Sequence, residues 1–108
     1  MNYEVFTIRT FDIQAKRLSK KYPSLKNEIL NLIELLEDNP IIGDPLGHDC
    51  YKIRLAIESK GKGKSGGARV ITNVYVSAKE VYLLSIYDKS EKQNLNSSEL
   101  VNLLKEID

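Results

Sequence analysis

Lys52, Arg54 and Arg69 are the residues of this 108-residue chain whose types and spacing could do chemistry. Lys52 and Arg54 stand two apart in the alternating run YKIRLAI, so an extended strand puts both on one face. Arg69 opens the next β-branched run, in step with Ile71, Asn73 and Tyr75. Cations gathered on one sheet face repel one another, and such a cluster more often receives a polyanion than stabilises a fold. Glu91 is the acid that could neutralise it from within the chain. The reaction this set suits is cleavage of RNA by its own 2′-OH. Closely spaced cations stabilise charge on the phosphoryl oxygens. They also lower one another's pKa, so that a lysine can transfer protons near neutral pH. That chemistry needs no metal and no cofactor, and none is expected.

Between the two runs lies GKGKSGG, flanked by Lys60 and containing Lys62 and Lys64. Residues 50–70 carry six Lys or Arg against one acid, Glu58, whereas the other ten basic residues share the chain with fourteen acids. The net charge of +1 hides this concentration. Phosphate binding depends on where charges sit, so the segment suits a nucleic-acid backbone. It is not a P-loop. Position 58, where that motif has its first glycine, is Glu, and Ser65 is followed by Gly66, Gly67 and a β-branched run instead of a helix. A hairpin tip whose lysines track phosphates fits better, although a lysine run is by itself commonly a solvated turn.

Other chemistries find little support. His48 is the single histidine and reads as an exposed loop residue, with no triad or nucleophile elbow around it. No HExxH pattern, paired His or spaced carboxylate loop suggests a metal site. Cys50 is the single cysteine and reads as a small apolar filler at a strand start. The chain is 42% apolar and 29% charged, as expected of one globular domain over residues 1–108. It has no apolar run of membrane-spanning length and no signal-peptide pattern, so a cytoplasmic protein away from membranes is expected.

The elements that must position the cations can be read from periodicity. Residues 3–8 form a short strand. Thr10 is expected to cap a helix through about Lys21, with Phe11, Ala15 and Leu18 inward. Pro23 stops it, and Ser24 precedes a helix from Leu25 to about Glu37 with Leu25, Ile29, Leu32, Ile33 and Leu36 on one face. Residues 38–49 read as loop. Strands are expected over Tyr51–Ile57, Ala68–Val76 and Val81–Tyr87, and a last helix capped by Ser97 or Ser98. The order β-α-α-β-β-β-α predicts an α+β fold: an antiparallel sheet, an N-terminal helical hairpin and a C-terminal helix, with one sheet face left open.

The order and spacing of several blocks resemble the RelE/ParE superfamily of bacterial toxins, especially its HigB-like and RelE-like mRNA-cleaving members. The blocks are the helical hairpin, Asn39–Gly43 (NPxxG), Tyr51–Arg54 (YKIR), Ser59–Arg69 (SKGKGKSGGAR) and Leu83–Glu91 (LLSIYDKSE). The resemblance implies a ribosome-dependent endoribonuclease that cuts mRNA in the ribosomal A site. It also implies a cognate antitoxin, expected to carry a helix-turn-helix. By position, Arg54 and Arg69 take phosphate and transition-state stabilisation and Lys52 proton transfer. Lys89 matches a basic position after the last strand, and Tyr87 would stack on or position a base. Lys60, Lys62, Lys64 and Lys92 would hold RNA. RelE carries a catalytic tyrosine in its C-terminal segment. The corresponding stretch here, Gln93-Asn94-Leu95-Asn96, has none, and Ser90 stands where RelE has a basic residue. The rival readings are a ParE-like inhibitor of DNA gyrase and a non-catalytic RNA-binding relative.

Overall fold

The computed structural model describes residues 2–61 and 66–107, and so leaves Lys62 and Lys64 outside the description. Its elements are β1 (Glu4–Thr7), α1 (Arg9–Lys21), α2 (Leu25–Asp38), β2 (Asp44–Gly47), β3 (Cys50–Leu55), β4 (Ala68–Tyr75), β5 (Glu80–Asp88) and α3 (Ser97–Leu104). Short 3-10 turns cover Glu58–Lys60 and Val76–Ala78. The five strands form one sheet in the order β1-β5-β4-β3-β2. β2 through β5 pair antiparallel, as short connections require, whereas β1 joins the edge of β5 in parallel. The α+β order expected from periodicity is therefore present. The strand β2 arises within the segment read as loop, where four exposed residues, DPLG, pair with the start of β3.

Apolar spacing explains the helices. Leu25, Leu32 and Leu36 of α2 are buried, as are Phe11 and Leu18 of α1. They pack with Ile53, Val70, Ile86 and other strand residues in a single core. The helix starts differ from expectation. Ile8, not Thr10, is the N-cap of α1, and it makes no side-chain cap. Ser24 does occupy the N-cap position of α2, but its hydroxyl bonds Glu28 and Ser59 instead of capping. The third helix has the true capping box: Asn96 Oδ1 accepts from Glu99 N–H, and the Glu99 carboxylate accepts from Asn96 N–H.

Helices cover both faces of the sheet, which corrects the expectation of one bare face. Tyr22, just after α1, reaches Asp88, while α3 and the segment before it lie over the opposite face beside Ser85 and Tyr87. Strand parity separates the two sides, because Tyr87 and Asp88 are neighbours on β5 and point to opposite faces.

Asp88 ties the first of these faces together. Its carboxylate is fully buried and accepts from Tyr22 Oη at 2.5 Å, Lys60 Nζ at 2.5 Å, and Ser90 N and Oγ at 2.9 and 2.7 Å. Burial alone would push its pKa up. The bonds from Lys60, Tyr22 and Ser90 outweigh that and hold it well below the ordinary carboxylate range. One side chain thus joins the end of α1, the turn after β3 and the turn after β5. The same region needs Gly67, because a Cβ there would meet the Leu55 carbonyl oxygen at 2.2 Å.

Two outcomes follow for stability. The folded pKa of Asp88 lies below its free value of 3.8. Its contribution is therefore complete above about pH 4 and is lost as pH falls further. At neutral pH Asp88→Asn should cost about 3 kcal/mol, because Lys60 is left buried without its anion. In urea unfolding, the gap between wild type and variant should narrow below about pH 4. A gap independent of pH would remove Asp88 from this role. Gly67→Ala should cost about 1–3 kcal/mol by forcing β3 and β4 apart. An unchanged urea midpoint would show that the backbone yields there.

Candidate functional site

The pairing register assembles the site. Arg54 on β3 is directly opposite Arg69 on β4, and Arg69 is directly opposite Tyr87 on β5. Opposed residues of antiparallel strands point to the same side, so two guanidinium groups and a phenol form one row across three strands. The adjacent row on that face is Lys52, Ile71 and Ser85. The expected grouping of Lys52, Arg54 and Arg69 on one face therefore appears in the structure, with Tyr87 beside them.

Their exposures differ sharply. Arg54 is exposed and Lys52 half-buried, whereas Arg69 is 3% and Tyr87 5% exposed. Arg69 donates from Nη1 to the Ala68 carbonyl at 3.0 Å, one of the contacts that fix its guanidinium. Lys52 Nζ reaches Asn94 Oδ1 at 3.4 Å. The Tyr87 hydroxyl is buried and has no hydrogen-bond partner among the described residues. Burial pushes the Tyr87 phenol up, Arg69 pulls it back down, and Glu99 raises it further. Tyr87 thus stays a neutral donor at physiological pH. It lines a cavity of about 290 Å³ with Thr10, Gln14, Ser85, Lys92, Leu95 and Glu99.

The remaining basic positions have other surroundings. Lys60 does not point outward. Its side chain is 12% exposed and its ammonium is bound by Asp88, with Ser90 Oγ at 3.4 Å, because the 3-10 turn folds it back over the end of β5. Lys92 forms an ion pair with Glu99. Lys89 is half-buried, and its backbone N–H donates to Gly67 O at 3.1 Å. Glu91 does not neutralise the sheet cluster. It pairs with Arg17 at 2.9 Å and Lys21 at 3.4 Å on α1, and the bond from Arg17 is the main reason its pKa is lowered.

Three residues that shape the site had no assignment from sequence. Asp88 anchors Lys60 and follows Tyr87 directly. Glu28 accepts the Glu58 N–H at 2.7 Å and so ties the turn after β3 to α2. Glu99 places a carboxylate near Tyr87; the Asn96 N–H bond, then Lys92, hold its pKa below the usual glutamate value. The one signal available in sequence was Asn96-x-x-Glu99, a capping-box pattern.

Comparison with known proteins gives a consistent result. The family model of the RelE toxin of the RelE/RelB toxin–antitoxin system matches residues 3–107. Among solved structures, an arginine-substituted mutant of the E. coli toxin RelE in the free state is similar at 19% identity. It covers 99% of each chain with a TM-score of 0.59. The isolated E. coli RelE toxin is similar at 20% identity, over 97% of this chain and 98% of that one, with a TM-score of 0.58. The RelBE2 toxin–antitoxin complex from Mycobacterium tuberculosis is similar at 15% identity, over 82% of this chain and 92% of that one, with a TM-score of 0.59. At these identities the structural matches establish the fold, and the family model spans nearly the whole sequence. The chain belongs to the RelE toxin family of RelE/RelB toxin–antitoxin systems.

Proposed function

We propose that this protein is a ribosome-dependent endoribonuclease that cuts mRNA in the ribosomal A site and is neutralised by a partner antitoxin. The observation that carries the reading is the row Arg54–Arg69–Tyr87 with Lys52 on the same face. Two guanidinium groups directly opposed on one face can both approach a bound phosphate. The family match supports an antitoxin partner, as does the likeness to a toxin crystallised with its antitoxin.

In this mechanism the 2′-oxygen attacks the adjacent phosphorus, and the bond to the 5′-oxygen breaks. Arg54 and Arg69 bind the non-bridging oxygens, whose negative charge grows in the transition state. Lys52, on the same face beside these cations, takes part in proton transfer. Tyr87 donates a hydrogen bond or stacks against a base. Lys89 and Lys92 hold the RNA flanking the cut; Lys60 instead orders the turn after β3 through Asp88. No step requires a metal.

Arg54→Ala separates chemistry from folding, because Arg54 is exposed and has no hydrogen bond or ion pair among the described residues. Mapped mRNA cleavage in a translating extract should fall by about 100-fold or more. The urea midpoint should stay within the range typical of surface substitutions, about 0.5 kcal/mol. Unchanged cleavage would remove Arg54 from the site. Intact mRNA alongside lost gyrase supercoiling would instead establish the gyrase-inhibitor reading.

Ribosome affinity should fall steeply as salt rises, since each phosphate contact releases counterions. An affinity independent of salt would contradict a phosphate-binding face.

A further inference from the structure

The two edges of the sheet are not alike. β2 carries Pro45 and a register shift between Pro45 and Gly47, features that discourage a further strand. β1 has neither a proline nor a lysine, and it pairs with β5 on one side alone. The direction of its backbone groups follows from the ladder. Glu4 N–H donates to Lys79 O at 3.0 Å and Ile8 N–H to Leu83 O at 3.3 Å, so even-numbered residues bond inward. Odd-numbered residues turn outward, as Tyr3 does in donating to Glu37 O at 2.8 Å. Val5 and Thr7 therefore present N–H and C=O groups along the free edge, with no partner among the described residues.

Two side-chain features stand unanswered at the same edge. Phe6 is 37% exposed, although its ring stacks on Tyr82 with centroids 5.4 Å apart. α2 ends beside Tyr3 with Glu34, Glu37 and Asp38 exposed and no basic residue in its last turn, the unfavourable sign for a helix C-terminus. Arg9, which opens α1 just after β1, is exposed and has no ion pair among the described residues.

We propose that β1 is a self-association edge, where a second copy of this chain adds antiparallel and joins the two sheets into one across a two-fold axis. Strand parity restricts the register, because only the odd-numbered residues have free hydrogen-bonding groups. Registers centred on Val5, on Phe6 and on Thr7 meet that condition. Of these, the one centred on Phe6 pairs Val5 of each copy with Thr7 of the other and uses all the outward groups of both. It sets Phe6 of one copy opposite Phe6 of the other, at a position without hydrogen bonds, where side chains come closest. The Phe6–Tyr82 stack then continues into its counterpart as a ladder of rings. Glu4 faces Ile8, so no like charges are opposed. Arg9 of each copy comes beside Tyr3 of the other, and so beside the acidic end of α2. The edge answers itself, ring to ring and cation to acid, which favours a second copy over an unrelated strand.

Sedimentation velocity of the free chain over a range of concentrations tests this. The wild type should show a reversible monomer–dimer equilibrium. Thr7→Pro removes an outward donor without touching the β5 ladder and should leave a folded monomer. Phe6→Lys should raise the dimer dissociation constant at least about tenfold, through the lost ring contact and the opposed like charges. Arg9→Glu should weaken the dimer, and adding Glu37→Arg should restore it. Far-UV circular dichroism checks the fold of each variant. Cysteine trapping with oxidised glutathione reads the register: Phe6→Cys should form an intermolecular disulfide, and Val5→Cys and Thr7→Cys should not. Native Cys50 is 1% exposed and stays in place. A wild type that is monomeric at its highest soluble concentration overturns the proposal. A dimer that survives both Thr7→Pro and Phe6→Lys overturns it as well, and trapping at Val5 or Thr7 instead of Phe6 overturns the register. A monomer whose Thr7→Pro variant loses a co-purifying antitoxin gives the edge to that partner and overturns the second copy. Mapped mRNA cleavage tests the RNA site separately, so failure of one reading leaves the other standing.

Discussion

The buried carboxylate of Asp88 is the interaction on which the rest of the arrangement depends. A charge with no exposure is tolerated only when it is fully hydrogen-bonded and paired. Asp88 meets that condition by drawing in the end of α1 through Tyr22, the turn after β3 through Lys60, and the turn after β5 through Ser90. These three segments are distant in sequence, so a single ion sets where they stop. It also fixes the end of β5, and with it the direction of Tyr87 on the other face. Gly67 allows β3 and β4 to approach in the same region, which keeps Arg54 opposite Arg69.

The opposite face gathers cations in the candidate site. Two arginines stand directly across from one another, one of them almost fully buried. Like charges in that relation destabilise a sheet. On the same face Lys52 reaches Asn94, and Leu95 and Glu99 line the cavity beside Tyr87.

Much of this was legible in the residues themselves. The parity of Lys52 and Arg54 within YKIRL, and of Arg69 within the next run, is local and survives any packing that keeps the strands. The helices followed from apolar spacing, which tertiary contacts reinforced. Charge partners were harder to read. Lys60 looks like one more lysine in a basic hairpin, and its inward turn depends on Asp88, 28 residues later. Glu91 looked like a neutraliser of the sheet cations, yet α1 brings Arg17 and Lys21 closer. The parallel pairing of β1 with β5 and the edge strand β2 also depend on which backbone edge lies nearby, and residue type says little about that.

By itself, then, the sequence determined the element order, the face shared by the three cations, and membership of a toxin family through the spacing of its blocks. These are set by periods of two and of 3.6 residues and by turn chemistry, all short-range properties of the chain. Only the tertiary structure decided that Tyr87 completes the row with Arg54 and Arg69, that Asp88 holds Lys60 inward, and that the C-terminal segment lies beside Tyr87 on the face expected to be open. Each of those depends on strand register or on a pairing between segments far apart in the chain. Such pairings are set by burial and by the need to satisfy buried polar groups across the whole fold.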